Sequence, residues 1–77
     1  MSDIENLKGE IKKLSARATT AKMNLHDLSE ELPVNWQQIM ATAQATHDAF
    51  NALEDARRRL KTLETQAALP KANASSA

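Results

Sequence analysis

The stretch KMNLHDLSEELPVNW, residues 22–36, decides how the whole chain folds. Up to Leu32 it continues a pattern that begins near the N-terminus. Apolar or alanine residues stand at Ile4, Leu7, Ile11, Leu14, Ala18, Ala21, Leu25, Leu28 and Leu32, with spacings that alternate three and four. That alternation is the a/d stripe of a heptad helix. Ser2 or Asp3 can cap its start. Gly9 costs about 1 kcal/mol against alanine in such a helix, which a long stripe absorbs. Pro33 then disfavours helical geometry at Leu32, so the spacing predicts a helix over 3–32 and a turn over 33–35. Asn35 reads as the N-cap of a second helix opening at Trp36.

The second stripe runs Trp36, Ile39/Met40, Ala43, His47, Phe50, Leu53, Ala56, Leu60, Leu63 and Ala67. It predicts a helix over 36–67, stopped before Pro70. The tail "PKANASSA", residues 70–77, is small and polar and is expected to be disordered. Two helices joined by so short a turn must run antiparallel. The expected unit is a single hairpin domain over 1–69, with each helix roughly 40 Å long at about 1.5 Å per residue. Folding the chain about residue 34 sets Ala18 against Phe50, Ala21 against His47 and Leu25 against Ala43.

The fold class is therefore all-α. A chain of 77 residues with no cysteine has neither a disulfide nor a thiolate metal site to help a small core. Pairing two hairpins into a four-helix bundle buries the remaining apolar side of each stripe, so a homodimer or higher homo-oligomer is expected. Ten basic and ten acidic residues leave no net charge, which argues against a dedicated nucleic-acid binder. No apolar run reaches the ~20 residues that span a bilayer. The N-terminus lacks the basic and apolar regions of a secretory signal. A soluble, cytoplasmic protein is expected.

Charge is uneven along the hairpin. The open end carries eight cations, Arg57, Arg58, Arg59 and Lys61 among them, against six carboxylates, a net of +2. Glu54–Arg58 and Asp55–Arg59 have the favourable i,i+4 order, so this end reads as a self-paired solvated face. An RNA-binding bundle is the alternative, weakened because no aromatic residues interleave with the cations. The hinge end holds Lys22 against Asp27, Glu30, Glu31 and Asp48, a net of −3. Three of those carboxylates lie near a helix C-terminus, where the macrodipole disfavours them. That placement points to a use other than stability.

His26 stands one step outside the core position Leu25. With Asp27 and Glu30 it forms a candidate site for a divalent transition metal such as Ni, Zn or Fe. His26, Asp27, Glu30, Glu31 and Trp36 also form a candidate partner-binding surface, Trp36 being either a staple against Leu32 or a docking anchor. His47 reads as a core-edge histidine. No catalytic constellation is present: the chain has no cysteine, no glycine-rich loop and no nucleophile–base–orienter set. An enzyme is not expected.

The runs "KMNLHDLSEELPVNWQQIM" and "AQATHDAFNALEDARRRLKTLE" resemble a family of small Rop-like two-helix proteins encoded in nitrogen-fixation gene clusters, the NifX-associated nitrogen fixation proteins. The resemblance covers roughly residues 4–66. Its most specific part runs from Lys22 through His26, Asp27 and Leu28 to Leu32, Pro33 and Trp36. It implies a dimerising antiparallel hairpin associated with nitrogen fixation, an accessory role in nitrogenase maturation or protection, and a nitrogenase maturation or cofactor-carrier protein as partner. A metal role implied by the resemblance falls on His26. The residues leave three functions open: accessory docking at the hinge, metal binding through His26, and RNA binding.

Overall fold

The protein is described by a computed structural model, and the structure describes residues 3–68. The expected disordered tail lies outside them. Helix α1 spans Asp3–Glu31, a 3-10 turn spans Trp36–Gln38, and helix α2 spans Ile39–Ala68. The two long helices pack against each other as an antiparallel hairpin, with no strand among the described residues. None of the described helices is long and apolar enough to cross a membrane.

The reversal is built from three successive tight turns. The Val34 N–H donates to the Glu31 carbonyl at 2.9 Å, Trp36 to Pro33 at 3.3 Å, and Gln38 to Asn35 at 2.9 Å. The Leu32–Pro33 peptide bond is cis. Asn35 sits in the left-handed region, at φ 62 and ψ 27, and its side chain makes no capping hydrogen bond. The expected cap is thus replaced by a different use of the same residue. Asparagine tolerates the left-handed conformation better than most residues with a Cβ. The regular α-helix accordingly begins three residues after Trp36.

On α1 the expected stripe is the packed one. Leu7, Ala18 and Leu28 are buried, and Ile4, Ile11, Leu14, Ala21 and Leu25 are half-buried. On α2 the stripe differs in part from expectation. Leu53 and Ala56 are buried, Ala43 is half-buried as expected, Ala52 is half-buried too, and Thr42, Thr46, Ala49, Leu60 and Leu63 are half-buried along one line with the two buried residues. The seven positions of that line alternate four and three without a break. Thr46, not His47, meets Ala21: its hydroxyl lies 3.2 Å from the Ala21 carbonyl and 2.8 Å from that of Thr42. A hydroxyl has one proton, so the two carbonyls compete for it.

His47 and Phe50 therefore leave the seam. The His47 side chain is 73% exposed and Phe50 is 41% exposed. The reason is rotational. The expected stripe stepped by three from His47 through Phe50 and Leu53 to Ala56. Nine residues turn a helix through roughly 900°, which places His47 and Ala56 on opposite sides. One seam cannot hold both, and the chain keeps the regular alternation.

Residues recurring every seven positions divide the hairpin into two open faces. One face is flanked by Glu10, Arg17, Asn24 and Glu31 on α1 and by Gln38, Ala45 and Arg59 towards α2, which line successive parts of one long groove. On the other, Lys8 and Ser15 lie beside Arg57, and Lys8 reaches Glu64 at 4.0 Å. Stepping back from Arg57 by sevens gives Phe50, Ala43 and Trp36 on that second flank. The first groove is bordered by polar and charged side chains over a floor that is apolar away from the hinge and includes Leu7, Ala21, Ala49 and Leu63, and it is mainly polar only at the hinge. The second face is apolar towards the hinge.

The seam assignment has a direct consequence. Leu53→Ala should cost about 2–4 kcal/mol, the range for emptying a buried leucine site. His47→Ala should stay within about 0.5 kcal/mol, as an exposed substitution does. Urea unfolding of the two variants side by side tests this; equal losses would return His47 to the core.

Candidate functional site

Helix α1 delivers His26, Asp27, Glu30 and Glu31 within its last two turns, all exposed. The i,i+4 spacing brings His26 Nε2 to 3.5 Å from Glu30 Oε2. The neighbouring Asp27 reaches the other ring nitrogen, with Nδ1 and Oδ1 also 3.5 Å apart. The Ser29 hydroxyl donates to the His26 carbonyl at 2.8 Å, a bond back to the carbonyl three residues earlier in the same helix. No basic residue stands in the last turn of α1, so nothing offsets the macrodipole against these carboxylates.

The structure thus joins His26 to both of its expected companions, but on different sides of the ring. The lone pairs of Nδ1 and Nε2 diverge, so an ion bound at Nε2 would meet Glu30 and not Asp27. Among the described residues no group of three or more His, Cys, Asp or Glu is disposed to hold a metal ion.

The expected partner surface is also divided. Asp27 and Glu31 line the hinge end of the first groove, with Asn24, Asn35, Gln38 and Thr42 around them. Trp36 lies outside that lining and is 59% exposed. Leu32, its proposed staple, is 40% exposed, so the pair leaves much of both side chains in water. Val34, Ile39 and Met40 are exposed next to them. The hinge therefore presents an acidic groove on one side and an apolar patch on the other. Gln38, Asn35 and Thr42 were missed as groove residues in the sequence because polar side chains at a turn carry no periodic signal. Had α2 been phased on Leu53 and Ala56, Gln38 would have been found seven residues before Ala45.

At the open end Arg59 pairs with Asp55 at 3.5 Å, the expected i,i+4 contact. With Lys8 drawn towards Glu64, part of the basic cluster is spent on its own neighbours. On α2 the Gln44 amide donates to Asp48 at 2.9 Å, and His47 Nδ1 lies 3.4 Å from the same carboxylate.

Residues 2–65 match the sequence model of the Rop-like family. A UPF0437 protein of Azorhizobium caulinodans is 66% identical over 68 residues, covering 88% of this chain and 99% of the relative. A relative in Frankia alni is 40% identical over 53 residues, covering 62% of this chain and 65% of that protein; it is named as a UPF0437 protein in the nifX–nifW intergenic region. An NMR structure from the Northeast Structural Genomics Consortium shares 44% sequence identity and superposes with a TM-score of 0.78, covering 83% of this chain and 90% of that one.

The acidic end of α1 carries a stability cost that can be read out. Glu31→Lys exchanges an unfavourable charge for a favourable one at a helix C-terminus. It should raise stability by about 0.5 kcal/mol, or the melting temperature by about 2–4 °C. Calorimetry at low salt checks this; a lowered melting temperature would show that Glu31 contributes to the fold instead.

Proposed function

The chain belongs to the Rop-like family, and from that premise we propose a non-enzymatic accessory protein of nitrogen fixation, working in the bacterial cytoplasm as a homodimer. It supports nitrogenase maturation or protection by docking a partner at its hinge end. The observation that carries this reading is the Frankia alni relative, named for its place between nifX and nifW. The hinge supplies a surface suited to the task. Asp27, Glu30 and Glu31 are exposed carboxylates at an unfavourable helix end, and His26 is held between two of them. Trp36 adds an exposed aromatic of the kind that anchors protein interfaces. The partner surface that fits is basic, and the docking is salt-sensitive.

Tagged protein from cells actively fixing nitrogen should co-purify a nitrogenase component or a cofactor carrier. Asp27→Lys with Glu30→Lys should reduce that capture at least tenfold and remove its dependence on salt. Unchanged capture by the double variant would reject the acidic hinge as the docking surface.

A second reading is a divalent metal held at His26. It is favoured by the Nε2–Oε2 distance of 3.5 Å between His26 and Glu30, close to the separation of two ligands about 2 Å from one tetrahedral ion. The remaining ligands would come from a partner or from water. Equilibrium dialysis with Ni²⁺, Zn²⁺ and Fe²⁺ should show binding by the wild type that His26→Ala loses; equal binding by both rejects it.

A further inference from the structure

We propose that the apolar patch on the hinge seats a basic amphipathic helix of a partner protein, with Trp36 and Met40 as its anchors and the carboxylates of α1 as its guide. The inference rests on the hinge-docking reading above and names the element of the partner that the hinge receives.

The exposed apolar residues form a cluster. Leu32, Val34, Trp36, Ile39 and Met40 are large, apolar and at least a third exposed, and all fall between residues 32 and 40. Elsewhere among the described residues only Met23 and Phe50 match them. Single apolar side chains on a surface are ordinary, but a patch of them rimmed by polar groups marks a contact site. Trp36 stands on the flank away from the first groove, and Met40 follows it by four residues, which sets both on one side of the chain. Ile39 adjoins Met40, and the tight turns that begin at Glu31 hold Leu32 and Val34 beside them. Met40 is the most exposed of the five at 79%, and methionine adapts readily to the shape of a partner. An aromatic and a methionine at the centre, with charges at the edge, is the composition of an interface core and its rim.

Charge selects the occupant. No lysine or arginine occurs between Lys22 and Arg57. The same stretch carries Asp27, Glu30 and Glu31 at the end of α1 and Asp48 on α2, all exposed. Glu31 directly precedes Leu32, so the carboxylates begin where the patch ends. An acidic segment would meet like charge here, and so would an anionic lipid surface. A purely apolar segment would leave the carboxylates beside a drying contact with no counter-charge. A segment with an apolar stripe and a row of lysines or arginines satisfies the patch and its rim together. A helix offers both along one line. Two packed helices present an end roughly 20 Å across, which about 13 helical residues span.

The two parts of the surface act on different rates. Exposed carboxylates speed the encounter with a basic segment, and salt removes that gain. The apolar anchors set how long the complex lasts.

Trp36 is the only tryptophan of the chain, so its emission reads the patch directly. The probe is a tryptophan-free synthetic peptide of about 14 residues with leucine along one helical face and lysine along the other. Added to the full-length protein at low salt, it should shift the Trp36 emission to the blue. Met40→Gln, polar but similar in size and at an exposed position, should keep the melting temperature and weaken binding at least about tenfold. A scrambled peptide of the same composition, and one with glutamate in place of lysine, should bind more weakly by a similar factor. Equal binding of the amphipathic and scrambled peptides would show attraction by charge alone and overturn the patch. Equal binding of the lysine and glutamate peptides would overturn the basic occupant. A blue shift with phosphatidylcholine vesicles but not with the peptide would overturn the proposal in favour of a lipid surface. In the pull-down from nitrogen-fixing cells, capture lost by Asp27→Lys with Glu30→Lys but kept by Met40→Gln overturns the patch and leaves the docking reading standing. No capture there, with the peptide still bound in a Met40-dependent way, rejects the nitrogen-fixation reading and supports the patch.

Discussion

Everything in this protein depends on one seam between two helices. Among the described residues five side chains, Leu7, Ala18, Leu28, Leu53 and Ala56, are buried in it, and both helices present regular four-and-three spacing to it. Two of the five are alanines. Small residues let the helix axes approach closely, but they also limit the apolar area that one hairpin can remove from water. The half-buried leucines and isoleucines on either side follow from that limit.

The division into faces is the second consequence of the seam. Once Leu53 and Ala56 fix the rotation of α2, each residue seven positions away has its side assigned. The acidic residues Asp27 and Glu31 fall on the groove with Gln38 and Asn35, and Trp36 falls on the other flank. The hinge therefore offers two chemically different surfaces, one suited to a basic partner and one to an apolar contact. One hairpin has room for both because they point away from each other.

On the first helix the stripe was legible from Ile4 to Leu28, where eight apolar positions keep one alternation and pack; the ninth, Leu32, lies in the turn beyond α1 and is exposed. The second helix was legible in existence and direction but not in rotation. Phe50 looks like core but is exposed, while Ala43 is half-buried as expected and shares that stretch with Thr42, Thr46 and Ala49, whose hydrophobic signal is weak. A threonine can occupy such a position because its hydroxyl turns back onto the carbonyl four residues earlier, as Thr46 does on Thr42 at 2.8 Å. Asn35 was singled out correctly as a special residue but for the wrong reason: its tolerance of positive φ mattered, not its capping oxygen. The contact of His26 with Glu30 was legible from spacing, because i,i+4 neighbours on a helix meet whatever the tertiary context; the contact with Asp27, one residue on, does not follow from helix spacing.

The construction of the reversal bears on how two such chains can associate at all. A helical hairpin with a loose hinge can straighten into one long rod and exchange arms with a neighbour, the swapped form of a bundle. Here Pro33 has no N–H to give a continuous helix and its ring obstructs the carbonyl four residues back. Asn35 adds a left-handed step, and three closely spaced backbone hydrogen bonds tie Glu31 to Gln38. A straightened rod would have to undo all of these at once. Opening the hairpin therefore carries a cost at each of these points, and the outer surfaces of the closed form already exist in the isolated chain.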